Sequence, residues 1–159
     1  MNQVILLTVL FTISSLCTFA QNKNYLALSS AVFDILQQDD PSYENRLEFR
    51  IGKVELLANP FIGVMMNSEG AMHLYIGIYH DIPVTNRIYV TPSFAPGIYS
   101  MGYSKDLKFM LVFQSQIEAS YWFVKGGRIG ISFNHISNAS LGMENPGVES
   151  IAITYIIPI

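Results

Sequence analysis

Cysteine is nearly missing from this sequence. The single one, Cys17, lies within the first twenty residues. Without that segment the chain has no thiol, and so needs neither a disulfide nor a thiol nucleophile. Charge is scarce too. Asp, Glu, Lys and Arg make up 13% of the residues, against about 25% in an ordinary globular domain. No run of Lys or Arg occurs and the net charge is −3, which argues against a nucleic-acid binder and its basic patch. Beyond the N-terminal segment, no stretch reaches the ~18 unbroken apolar residues of a transmembrane helix. No Gly-rich loop opens a helix to hold a phosphate. The histidines, Asp34 and Asp81 show no ligand spacing, so no metal and no other cofactor is expected.

What remains is apolar. Half of the 159 residues are hydrophobic, enough for one domain and little more. Residues 1–20 carry no charged side chain. An apolar core from Val4 to Leu10 leads to Thr18-Phe19-Ala20, close to the small-x-small cleavage pattern of a secretory signal. The expectation is a signal peptide over 1–20, cleaved before Gln21, and one domain over 21–159. The missing n-region Lys or Arg departs from the usual signal. An N-terminal anchor helix is the alternative, and a lipid on Cys17 is disfavoured by the large Leu16 before it.

Period-two alternation dominates the rest, which is the mark of strands. Leu47, Phe49 and Ile51 alternate with Arg46, Glu48 and Arg50. Met72, Leu74, Ile76 and Ile78 alternate with His73, Tyr75, Gly77 and Tyr79. Leu107, Phe109, Leu111 and Phe113 alternate with Lys108, Met110, Val112 and Gln114. Turn signals at 67–70, 83–86, 102–106 and 125–127 divide these runs. About eight strands are expected, near 26–36, 44–54, 56–66, 71–81, 87–100, 107–124, 127–138 and 149–159. That number matches the smallest membrane barrels, so the fold class is all-β, an eight-stranded antiparallel transmembrane β-barrel.

A soluble lipocalin-like barrel shares the pattern with its faces exchanged. The charged alternate faces (Arg46, Glu48 and Arg50; Lys108, Gln114, Gln116, Glu118 and Ser120) suit a lumen in which they pair. Tyr89, Tyr99, Tyr121, Phe123 and Tyr155 would suit an interfacial girdle. With an exported N-terminus starting in the periplasm, the 139–148 loop is expected on the extracellular side.

That loop is flanked by candidate chemistry. Ile129, Ile131 and Phe133 share a face, and steps of two reach His135 and Ser137. From the other side Ile157, Tyr155, Ile153 and Ile151 lead back to Glu149. All three polar residues therefore fall on an apolar stripe, where a polar cluster is costly without a task. Residues i and i+2 on a strand lie about 6.6 Å apart and point the same way. A Ser hydroxyl needs a neighbouring base to become a nucleophile, and the imidazole needs a carboxylate to fix its tautomer. The trio is chemically complete for acyl transfer if the register sets Glu149 opposite His135. Three polar residues at a strand rim are the plainer alternative.

The stretches His135-Ile136-Ser137-Asn138-Ala139-Ser140-Leu141-Gly142, Asn145-Pro146-Gly147-Val148-Glu149-Ser150 and Thr154-Tyr155-Ile156-Ile157-Pro158-Ile159 resemble the lipid A 3-O-deacylase (PagL-type) family. So do Ala31-Val32-Phe33-Asp34, Asn59-Pro60-Phe61-Ile62-Gly63, Thr91-Pro92-Ser93-Phe94 and Lys105-Asp106-Leu107. The resemblance covers most of residues 21–159 and implies an eight-stranded outer-membrane barrel acting on lipid A, in lipopolysaccharide, among outer-membrane lipids. It implies Ser137 as nucleophile, His135 as base, Glu149 as its carboxylate, and an oxyanion site at Asn145 and the backbone of Asn138 to Ser140. Many relatives have Gly where this chain has Ser140, and Ile159 replaces the usual terminal aromatic. A non-enzymatic barrel and a phospholipase stand as alternatives, and the oligomeric state is open between monomer and homodimer.

Overall fold

The computed structural model describes residues 23–52, 57–123 and 126–159. The expected signal segment lies outside them. The described chain is built of strands: β1 (Tyr25–Phe33), β2 (Ser42–Arg50), β3 (Asn59–Asn67), β4 (Met72–Tyr79), β5 (Ile82–Pro83), β6 (Ile88–Ser100), β7 (Leu111–Trp122), β8 (Arg128–Ser137) and β9 (Gly147–Pro158). Neighbours along the chain pair antiparallel except β4 and β5; β1 pairs with β9, and β4 with β6, which closes the ring. Eight long strands make the wall. The two-residue β5 extends the edge beside the end of β6, pairing Ile82 with Val90.

The faces are those of a membrane barrel. Along β1, β2 and β7, alternate residues are buried in the lumen and exposed outside. The outer wall carries Leu74, Ile76, Ile98, Ile117, Ile131 and Ile153, all more than half exposed. The lumen carries the charges. Arg50 bonds Glu48 through Nε at 2.9 Å and Glu118 through both Nη atoms at 3.3 and 3.0 Å. Arg46 pairs with Glu44 and reaches Gln116. The Tyr75 hydroxyl donates to Glu48 at 2.9 Å, and Ser150 to Glu44 at 2.8 Å. A soluble barrel would reverse this arrangement. At the end holding the β7–β8 turn, Arg128 bonds Asp81 at 2.6 Å and lies within 5 Å of the Tyr25, Tyr89 and Trp122 ring centroids.

Two expectations need correction. The sixth expected strand began at Leu107, but β7 begins at Leu111. The Asp106 carboxylate accepts the Lys108 N–H at 2.8 Å and Lys108 takes φ +60°, which turns the chain out of extended geometry. Leu107 is thereby fully buried and Lys108 exposed, opposite to their expected faces. The aromatic girdle also loses members. Tyr99 sits on the lumenal parity and its hydroxyl donates to Lys105 O at 2.8 Å, and Tyr89 packs on Arg128. Tyr121, Phe123 and Tyr155 do face outward.

Candidate active site

The β8–β9 hairpin opens into a loop over residues 138–146. Its register sets His135 directly opposite Glu149 and Ser137 opposite Gly147. The outward positions below them are Phe133, Ile131 and Ile129 on β8 and Ile151 and Ile153 on β9, all exposed. The polar trio therefore ends an apolar stripe on the outer wall, as its parity requires.

His135 Nδ1 and Glu149 Oε1 lie 2.8 Å apart. An ionised carboxylate only accepts, so Nδ1 carries the proton and a neutral ring keeps its lone pair on Nε2. The imidazole side chain is 42% exposed and the carboxylate 13%, so the ring faces outward while its partner is sheltered. Ser137 shares the outward face two residues along. No hydrogen bond joins its Oγ to His135 among the described residues.

Gly147 explains how the ring can lean toward the serine. A Cβ built there would lie 2.6 Å from His135 Cε1 and within 3.5 Å of both ring nitrogens. The imidazole thus lies over the bare backbone of the residue paired with Ser137. Sequence reasoning gave Gly147 no role, because only the register reveals what it faces. Gly147→Ala is expected to push the ring aside and lower kcat about 100-fold, the cost of roughly 1 Å of misplacement. Steady-state hydrolysis by the folded variant checks this.

The loop beyond Ser137 is braced by Asn138. Its buried side chain donates to Leu107 O at 2.9 Å and Glu144 O at 2.7 Å. Of the expected oxyanion residues, Asn138 therefore has only its backbone free for that task. Ala139 and Ser140 follow with φ +51° and +63°. Left-handed geometry favours glycine, so Ser140 carries backbone strain that a glycine there would not. Ser140→Gly is expected to stabilise the barrel by about 0.5 kcal/mol. It relieves ~1–2 kcal/mol of left-handed strain against ~0.5–1 kcal/mol of added chain entropy. The apparent melting midpoint in detergent reads the difference. Asn145 is exposed and forms no hydrogen bond among the described residues.

Behind the trio, the β1–β2 loop is pinned. Asp34, fully buried at φ +56°, accepts the Asp39 and Asp40 amides at 2.9 Å each and Lys105 Nζ at 2.8 Å. Burial opposes the charge of Asp34. The Asp40 amide, the Lys105 ammonium and the Asp39 amide outweigh it and hold the carboxyl below its usual value. The bridge therefore adds stability above the ordinary Asp range, and loses it only as pH falls through the lowered value. Among the described residues no three His, Cys, Asp or Glu side chains converge on a metal position.

A closed barrel with a polar lumen and an apolar outer wall defines a class, the small outer-membrane β-barrels, and here Ser137, His135 and Glu149 lie together at one rim of that wall. The sequence model of one such family, lipid A 3-O-deacylase (PagL), matches residues 17–158. The chain belongs to that family. Among solved structures, the outer-membrane enzyme PagL aligns over 84% of this chain and 99% of its own, with TM-score 0.64 and 21% identity. A de novo designed transmembrane β-barrel aligns over 89% and 100%, with TM-score 0.65 and 8% identity. Neisserial surface protein A aligns over 88% and 99%, with TM-score 0.58 and 9% identity. At these identities the likeness is one of fold. No curated protein sequence matches the chain significantly.

Proposed function

We propose that the protein is an outer-membrane esterase that removes the 3-O-linked hydroxyacyl chain of lipid A. The observation that carries the reading is the His135–Glu149 bond on the outer wall, with Ser137 on the same face two residues along. Family membership supplies the substrate class. In the reaction His135 Nε2 takes the Ser137 proton as Oγ attacks the ester carbonyl. The Asn145 side chain and the amides from Asn138 to Ser140 receive the oxyanion. Collapse breaks the ester, and the sugar 3-oxygen leaves with the proton from His135. Water, activated by the same imidazole, then frees the hydroxy acid and restores Ser137. Glu149 holds the ring and stabilises its positive charge throughout.

The position suits such a substrate. With a signal peptide cleaved before Gln21 and the N-terminus in the periplasm, odd crossings run outward. The 138–146 loop then lies at the outer leaflet. Acyl chains remain in hydrocarbon along Phe133 and Ile131 while the ester reaches Ser137, and water arrives from the rim. Lipid A mass spectrometry of an expressing strain tests this. The expected result is loss of one hydroxyacyl mass with wild type and no loss with Ser137→Ala. An unchanged spectrum with folded wild type, in a strain whose lipid A bears the 3-O chain, overturns it. Release of acyl chains from phospholipid instead would move the chemistry to another ester.

A further inference from the structure

The proposed serine chemistry uses residues of β8 and β9, yet a second set of contacts ties both ends of the trio together across the barrel mouth. On one side, the Ile35 N–H donates to Glu149 O at 3.0 Å, which extends the β1–β9 ladder beyond Phe33. Ile35 follows Asp34, which Lys105 holds at 2.8 Å. Gln37 also accepts from the Lys105 ammonium. On the other side, two residues past Lys105, Leu107 O accepts from Asn138, the neighbour of Ser137. Leu107 and Asp34 are both fully buried, and Lys105 is 8% exposed.

We propose that Lys105 and Asp34 are positioning residues that lock the Glu149 end and the Ser137 end of the site into one frame. The bridge joins the β1–β2 loop, which holds Glu149, to the β6–β7 loop, which holds Asn138. Neither side chain touches the reacting atoms. The Lys105–Asp34 contact is short and both side chains are 9% exposed or less, so it differs from an exposed ion pair of little worth, such as the 3.5 Å contact Lys105 also makes to the exposed Asp39. The neighbouring Lys108–Asp106 pair is such an exposed pair, nearly half accessible on both sides, and serves as the control. Two fragments that looked unrelated in sequence, around Phe33-Asp34 and Lys105-Asp106-Leu107, meet in this bridge.

The inference rests on the serine-hydrolase reading, so the test separates the two. Purified full-length barrel in detergent is labelled with a fluorophosphonate, which reads Ser137 reactivity without any lipid. Heat-modifiable gel migration reports folding. Lys105→Met and Asp34→Asn are each expected to fold and to label about tenfold more slowly than wild type. Lys105→Arg and Lys108→Met are expected to stay within about twofold. In lipid A hydrolysis the same loss should fall on kcat and leave KM nearly unchanged. Folded Lys105→Met or Asp34→Asn labelling at the wild-type rate overturns the inference. Failure of both to fold also overturns it, since the bridge would then serve folding rather than positioning. Folded wild type that takes no label overturns the serine reading instead.

Discussion

Ser137→Ala is expected to lower kcat by about 10⁴-fold or more, with the barrel intact. The magnitude follows from how such a site works. Hydroxyl and imidazole act as a unit, and losing either removes the covalent route while substrate binding persists. His135→Ala should therefore cost about as much, and the double variant no more than the worse single. Additive losses, each multiplying the other, would contradict a shared step. Glu149→Gln should cost less than either, because the ring stays in the site but loses the negative charge that stabilises the imidazolium, and the amide NH2 can hold the other tautomer. Single-turnover hydrolysis of lipid A in detergent measures all four, with heat-modifiable migration confirming folding. Retention of more than a tenth of wild-type kcat by Ser137→Ala would remove the nucleophile assignment.

Strand parity carried most of what the sequence could say about this site. A residue's face on a strand is fixed by counting in twos, so the outward aim of His135, Ser137 and Glu149 was legible once the apolar stripe was found. Register was not. His135 stands opposite Glu149 because the hairpin places nine residues, 138–146, between β8 and β9. Gly147 shows the limit well. A glycine in a turn-like Asn-Pro-Gly invites a turn reading, whereas its task here is to leave space for an imidazole from the facing strand.

Alternation also misled where a turn mimicked it. Leu107 to Phe113 alternates in apolar character, but the Asp106 carboxylate captures the Lys108 amide and ends the extended run. Local side-chain bonds of this kind compete with the ladder. Tyr99 failed for a different reason. Aromatic residues near strand ends suit an interface, yet the hydroxyl of Tyr99 found a lumenal carbonyl. Long-range partners such as Asp34 and Lys105, 71 positions apart, leave no periodic trace. Only ring closure brings them together.

The lumen yields the other large effect. Arg50→Met is expected to destabilise the barrel by about 3–5 kcal/mol, the usual cost of removing one member of a buried ionic group. Arg50 is the cation shared by Glu48 and Glu118, with all three side chains 4% exposed or less. Without it, two carboxylates face each other inside the wall. Tyr75 still donates to Glu48, but Glu118 loses its only ion pair among the described residues. Adding Glu118→Gln should recover part of the loss, because it removes the unpaired charge and keeps the side chain's size. That pattern distinguishes electrostatic cost from a packing cavity, which the second substitution would leave unfilled. The apparent midpoint of heat-modifiable migration across a temperature series measures each variant. A single Arg50→Met with an unchanged midpoint would mean that the lumenal charges are solvated rather than paired. A double variant less stable than the single would assign the cost to packing. The site on the outer wall supplies an internal reference. Gly147→Ala acts at the His135 ring and should lower kcat with little change in that midpoint, whereas Arg50→Met should lower the midpoint and leave the kcat of the surviving folded barrel close to wild type.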